Sequence, residues 1–101
     1  MSFYKNKVIW ITGASSGIGE ALAIELAKQE ARIILSARRE DELKRVAALT
    51  KLPELDILIL PFDLNNTNNA SALAASIINK FGRIDVLINN GGMSQRAEAE
   101  K

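Results

Sequence analysis

The chain contains no cysteine and no histidine. The first absence removes disulfides and thiol nucleophiles, and the second removes imidazole as a general base. Together they take away the usual ligands of zinc. Proline is scarce as well, with only Pro53 and Pro61 to interrupt an element. No apolar run is long enough to span a bilayer. The N-terminal segment Met1 to Lys7 carries two lysines, but the apolar stretch behind it runs directly into glycines, so a strand is expected there and not a signal-peptide core. Charge of one sign is also missing. Thirteen basic and twelve acidic residues are interspersed for a net charge of +1. That balance argues against a broad nucleic-acid or membrane surface as partner. With 101 residues of ordinary globular composition, residues 1–101 read as one small domain or a piece of a larger one. Lack of cysteine fits a reducing compartment, and the cytoplasm is the default expectation.

What is present is an alternation of short apolar runs and helical stripes. Val8 to Thr12 is too short and too rich in β-formers for a helix and reads as a buried strand. Ile18 to Gln29 has the alanine, leucine and isoleucine content of a helix lying on a sheet. Arg32 to Ala37, with Ile33-Ile34-Leu35, is a second strand. Glu40 to Thr50 is amphipathic, with Leu43, Val46 and Ala47 on one face and Glu40–Lys44 and Asp41–Arg45 as i, i+4 ion pairs. Asp56 to Phe62 is a third strand, which Pro61 marks as an edge or as finishing. The polar run Asn65 to Asn69 supplies helix N-caps. Ala70, Leu73, Ala74, Ile77, Ile78 and Phe81 then form the cleanest helical stripe, closed by Gly82. Ile84 to Asn89 is a fourth strand, ended by Asn90-Gly91-Gly92. The order β-α-β-α-β-α-β predicts an α/β doubly wound parallel sheet with strand order 3-2-1-4.

The stretch with the most chemical content is Thr12-Gly13-Ala14-Ser15-Ser16-Gly17-Ile18-Gly19. It follows a strand, opens a helix and lies in a βαβ unit of about 30 residues, with a charged residue roughly 20 positions on. A strand that turns sharply through glycines aims a helix N-terminus at a phosphate. The charged residue is arginine: the second strand ends Ser36-Ala37-Arg38-Arg39 with no acid before Glu40. A carboxylate there would bond the ribose 2′-hydroxyl of NAD, whereas a guanidinium forks onto the 2′-phosphate of NADP. NADP(H) is therefore favoured over NAD(H).

These residues, with Asp63-Leu64 after the third strand and Asn89-Asn90-Gly91-Gly92 after the fourth, resemble the short-chain dehydrogenases/reductases from about Lys7 to Gly92. The resemblance implies a Rossmann-like fold. It also implies that Gly13, Ser15, Ser16, Gly17, Ile18 and Gly19 wrap the pyrophosphate and adjoining ribose. Arg38 would meet the 2′-phosphate, Asp63 and Leu64 would flank the adenine, and Asn90 would approach the ribose on the nicotinamide side. Thr12 would tie the first strand to the Asn89-Gly92 turn. For Asp63, Asn89 and Asn90, a purely structural turn role stays open.

The implied reaction is hydride transfer between nicotinamide and a small-molecule carbonyl or alcohol, in a protein that is commonly a homo-oligomer. The family's catalytic serine and Tyr-xxx-Lys pair lie further along than Gly92, and no Tyr-xxx-Lys follows Gly92 here. The expectation is thus a cofactor-binding half with no catalytic residue of its own. The alternative from another class is a dinucleotide-binding or structural module without chemistry. A chain that stops after the fourth strand would leave that strand's outer edge unpaired, inviting association.

Overall fold

The computed structural model describes residues 3–15, 17–61 and 70–90. The elements are β1 (Val8–Thr12), α1 (Gly17–Lys28), β2 (Arg32–Ser36), α2 (Glu40–Thr50), a single 3₁₀ turn (Glu54–Asp56), β3 (Ile57–Ile59), α3 (Ala70–Phe81) and β4 (Val86–Asn89). The strands form a parallel sheet in the order β3-β2-β1-β4. This is the doubly wound arrangement that the alternation predicts.

Side-chain alternation along the strands divides the core in two. Ile9 and Ile11 of β1, with Ile33 and Leu35 of β2, pack under Ala23, Leu26 and Ala27 of α1 and Leu43 and Val46 of α2. Val8, Trp10 and Ile34 point to the opposite face and meet Ile77 and Phe81 of α3. β1 is buried along its whole length because helices cover both faces and strands flank both edges. Trp10 carries a polar group into that core, and its indole N–H donates to Ser36 Oγ on β2 at 2.8 Å. The bond satisfies two groups that would otherwise be buried without partners.

Several expected boundaries move for identifiable reasons. Strand β3 is shorter than the expected Asp56 to Phe62, because Pro53 opens the 3₁₀ turn and the Asp56 N–H bonds the Pro53 carbonyl at 2.8 Å. Among the described residues β3 is an edge strand, and it ends before Pro61, so both readings of that proline apply. Strand β4 begins at Val86 and not at Ile84. Asp85 turns its carboxylate onto the Val8 N–H at 2.8 Å, while Arg83 donates to the same carboxylate at 2.8 Å. Among the described residues β4 stands at the other edge of the sheet, with Leu87 exposed.

The helix termini also show what the pattern does not contain. α1 ends without glycine: Glu30 takes the left-handed conformation at φ 67°, its N–H bonding Ala27 and the next N–H, of Ala31, bonding Leu26. In α3 the stripe is narrower than its sequence suggests, since Ile77 and Phe81 are buried while Ile78 is exposed. The Gly82 N–H closes that helix on the Ile78 carbonyl at 2.7 Å. The Asn65–Asn69 caps lie outside the described residues.

On α2 the Glu40–Lys44 pair forms at 3.6 Å, but Asp41–Arg45 does not. Asp41 meets Arg39 at 3.6 Å instead, and Arg45 leaves the helix face altogether.

Candidate functional site: a glycine turn on a ledge of strand ends

Three strands finish in register. Thr12 of β1 stands beside Ser36 of β2 on one side and Asn89 of β4 on the other. The glycine turn, the Arg38 segment and the residues after β4 therefore leave the sheet together at its C-terminal edge. In doubly wound sheets this is where ligands collect, because the connections after the central strand and its neighbour diverge to opposite faces and open a crevice.

The turn after β1 is held at several points. Gly13 and Gly17 both adopt positive φ, 66° and 59°, which a side chain would resist. Between them the Ala14 N–H donates to the Ser36 carbonyl at 3.1 Å, so the turn is stitched to the end of β2. On the other side the Asn90 side-chain amide donates to the Gly13 carbonyl at 3.2 Å. The Thr12 hydroxyl donates to Asn89 Oδ1 at 2.8 Å, and the Asn90 N–H reaches the Thr12 carbonyl at 3.3 Å. The expected tie between Thr12 and the segment after β4 is thus present through Asn89 and Asn90. Asn90 has a structural partner in the turn itself.

Gly19 permits the close approach of α1. A Cβ built there would lie against the Gly13 carbonyl oxygen, with Asn90 Nδ2 at 2.9 Å and Ala14 Cα at 3.0 Å. The first turn of α1, opening at Gly17, therefore sits directly on the glycine turn, and its leading N–H groups have no partner within the helix itself. Ser15 is half-buried, and Ile18 presents an exposed apolar side chain beside the helix start.

Arg38 and Arg39 follow β2 on the same ledge. Arg39 caps α2 by position and pairs with Asp41. Arg38 is exposed and has no ion pair or hydrogen-bond partner among the described residues. Ser16, Asp63, Leu64, Gly91 and Gly92 lie outside the described residues. No group of acidic side chains among the described residues could hold a metal ion, and no helix there is long and apolar enough to cross a membrane.

Sequence reasoning missed one participant. The Arg45 guanidinium reaches from α2 to the Ser15 carbonyl at 3.0 Å and to Glu20 of α1 at 3.0 Å. The bonds to Glu20 and then to Glu42 hold its pKa above the ordinary arginine value. Helical spacing could not reveal this, because both new partners lie in another part of the chain.

A turn of this shape, with a helix opening on it, a close approach that a Cβ at Gly19 would block and a guanidinium on the same ledge without a partner among the described residues, fits a phosphate-bearing dinucleotide. The class so defined is the dinucleotide-binding α/β fold. The family model described as short chain dehydrogenase matches residues 7–101. The chain belongs to that family.

It is 52% identical over 94 residues to the human dehydrogenase/reductase SDR family member 7, an alignment covering 89% of this chain and 28% of that protein. Among solved structures, a short chain dehydrogenase from Bacillus anthracis is 39% identical with a TM-score of 0.79, over 86% of this chain and 35% of that one. A metagenomic short-chain oxidoreductase in complex with NADP is 33% identical with a TM-score of 0.78, over 88% of this chain and 40% of that one. The chain thus spans between a quarter and a half of the length of these relatives.

Proposed function

We propose that this chain is the NADP(H)-binding part of a short-chain oxidoreductase. The observation that carries the cofactor preference is Arg38, an exposed guanidinium without a partner among the described residues, just beyond the strand that pairs with the glycine turn. A 2′-phosphate carries nearly two negative charges, and a guanidinium can meet it with two parallel hydrogen bonds. An acid at this place would favour a ribose hydroxyl instead, and none occurs before Glu40.

In this reading Gly13, Ser15, Ser16, Gly17, Ile18 and Gly19 surround the pyrophosphate and its ribose. Backbone N–H groups at the start of α1 meet the phosphates, and Ile18 supplies an apolar wall. Asp63 and Leu64 flank the adenine. Asn90, already bonded to the Gly13 carbonyl, fixes the side of the turn that faces the nicotinamide ribose. When bound, the nicotinamide supplies or accepts a hydride. The substrate is a small carbonyl compound or alcohol, and the acid–base groups that exchange its proton belong to the remainder of the whole protein.

The test is a titration of the whole protein with NADPH and NADH, before and after Arg38→Ala. Loss of the forked contact is expected to weaken NADPH about tenfold or more and NADH little. Equal losses for the two would remove Arg38 from the 2′-phosphate. Turnover of NADPH with a carbonyl substrate separates the oxidoreductase reading from that of a binding module.

A further inference from the structure

Arg45 sits among charges that look like an ordinary solvated helix face, yet its guanidinium links three segments. Nη2 donates to the Ser15 carbonyl at 3.0 Å. Nη1 and Nη2 fork onto the Glu20 carboxylate at 3.3 and 3.0 Å, and Nε donates to Glu42 at 2.9 Å. All the donor nitrogens are thus engaged, and the two carboxylates aim the one bond that reaches the turn.

The location of that bond matters. Ser15 is the middle of a turn flanked by two glycines at positive φ, and glycine leaves a backbone with more conformations than any other residue. Such a turn needs restraint from outside if it is to hold one shape before a ligand arrives. Among the described residues two restraints come from neighbouring strand ends, at Ala14 and Gly13. Neither reaches the middle of the turn, whereas Arg45 does. A turn held in its binding shape in advance spares the ligand the entropy of ordering it.

We propose that Arg45 is a positioning residue for the phosphate turn, holding the Ser15 carbonyl from α2 so that the turn is preorganised for a dinucleotide pyrophosphate. This rests on the dinucleotide reading above. Arg45 touches no reacting atom in this role. Its effect passes through the backbone of the turn, so it acts equally on any ligand that carries the pyrophosphate.

The test uses the whole protein, with NADPH and NADH titrations and a thermal melt of the ligand-free form. Arg45→Gln is expected to weaken both nucleotides by about fivefold, with little change in the melt, since exposed ion pairs contribute little stability. Arg45→Lys, which keeps a donor but not the fork, is expected to fall between Arg45→Gln and the wild type. The double variant Glu20→Gln/Arg45→Gln is expected to stay as weak as Arg45→Gln.

Unchanged affinity in Arg45→Gln overturns the proposal. So does a loss confined to NADPH, which would move Arg45 to the 2′-phosphate. Recovery of affinity in the double variant would assign the effect to an unbalanced Glu20 charge and overturn it too. Should Arg45→Gln fail to fold, Arg45→Lys decides: a loss shared by both nucleotides with the melt retained supports the role, and no loss overturns it. Failure of the wild type to bind either nucleotide is a separate result, and it would refute the dinucleotide reading itself.

Discussion

Replacing Gly19 with alanine adds a single methyl group where α1 presses on the glycine turn. The new Cβ would meet the Gly13 carbonyl oxygen, Asn90 Nδ2 at 2.9 Å and Ala14 Cα at 3.0 Å. Of these the Asn90 amide can swing aside, but only by giving up its bond to the Gly13 carbonyl. The Gly13 and Ala14 backbone has less freedom, because the Ala14 N–H is bonded to Ser36 in the core-facing sheet. The helix must therefore lift or the turn must deform.

Overpacking of this kind costs about 1–3 kcal/mol. Alanine gains back about 1 kcal/mol over glycine in a helix, so the net expectation is a loss of up to about 2 kcal/mol. Gly17→Ala is the control. Nothing lies within 4 Å of its Cβ, and only the positive φ of 59° resists, at about 1 kcal/mol. The two variants would be compared in the whole protein by urea denaturation followed by circular dichroism, together with NADPH titration. Gly19→Ala should be the less stable relative to a helix-propensity expectation, and it should bind NADPH more weakly than the wild type. A Gly19→Ala protein as stable as the wild type, with unchanged affinity, would refute the argument that close approach of α1 builds the turn.

Other consequences follow from single contacts. Glu30→Gly should stabilise the protein by about 1 kcal/mol, since glycine adopts the left-handed cap at φ 67° without penalty and the exposed Lys5–Glu30 pair at 3.5 Å contributes little; an unchanged denaturation midpoint would argue against strain at that cap. Ser36→Ala should cost about 1–2 kcal/mol by leaving the buried Trp10 indole N–H without its acceptor, and in a double-mutant cycle Trp10→Phe should recover part of that loss. The Val8 N–H and then Arg83 hold the Asp85 carboxyl below its ordinary value of 3.8, so its contribution is complete above that value and is lost as pH falls through the lower folded-state value. Asp85→Asn should accordingly be less stable than the wild type at neutral pH, with the gap closing as denaturation is repeated at more acidic pH.

Much of the architecture was legible before any coordinates, because it depends on near neighbours in the chain. The short apolar run Val8–Thr12 records a strand buried on both faces, and the spacing of Leu43 and Val46 records one helix's buried face. Alternation of strand and helix then leaves the doubly wound order as the natural right-handed solution, and the sheet has that order. Boundaries were less legible where a side chain and the backbone competed. The Asp85 carboxylate on Val8 ends the ladder early, and no local pattern announces a partner so far away in sequence.

For the site, the linear order was enough to mark the glycine turn, Arg38 and the residues after β4 as chemically related. What the sequence alone determined about this protein is the set of local preferences: which stretches extend, which coil, and where glycine permits a turn. Tertiary structure decided which groups meet across those elements. It brought Thr12, Ser36 and Asn89 into register, set Asn90 on the Gly13 carbonyl, and drew Arg45 away from Asp41 to Glu20 and Ser15. The physical reason is geometric. An arginine side chain has several charge partners within reach of its long stem, and only the packing of α2 against α1 determines which of them lies close enough to hold it.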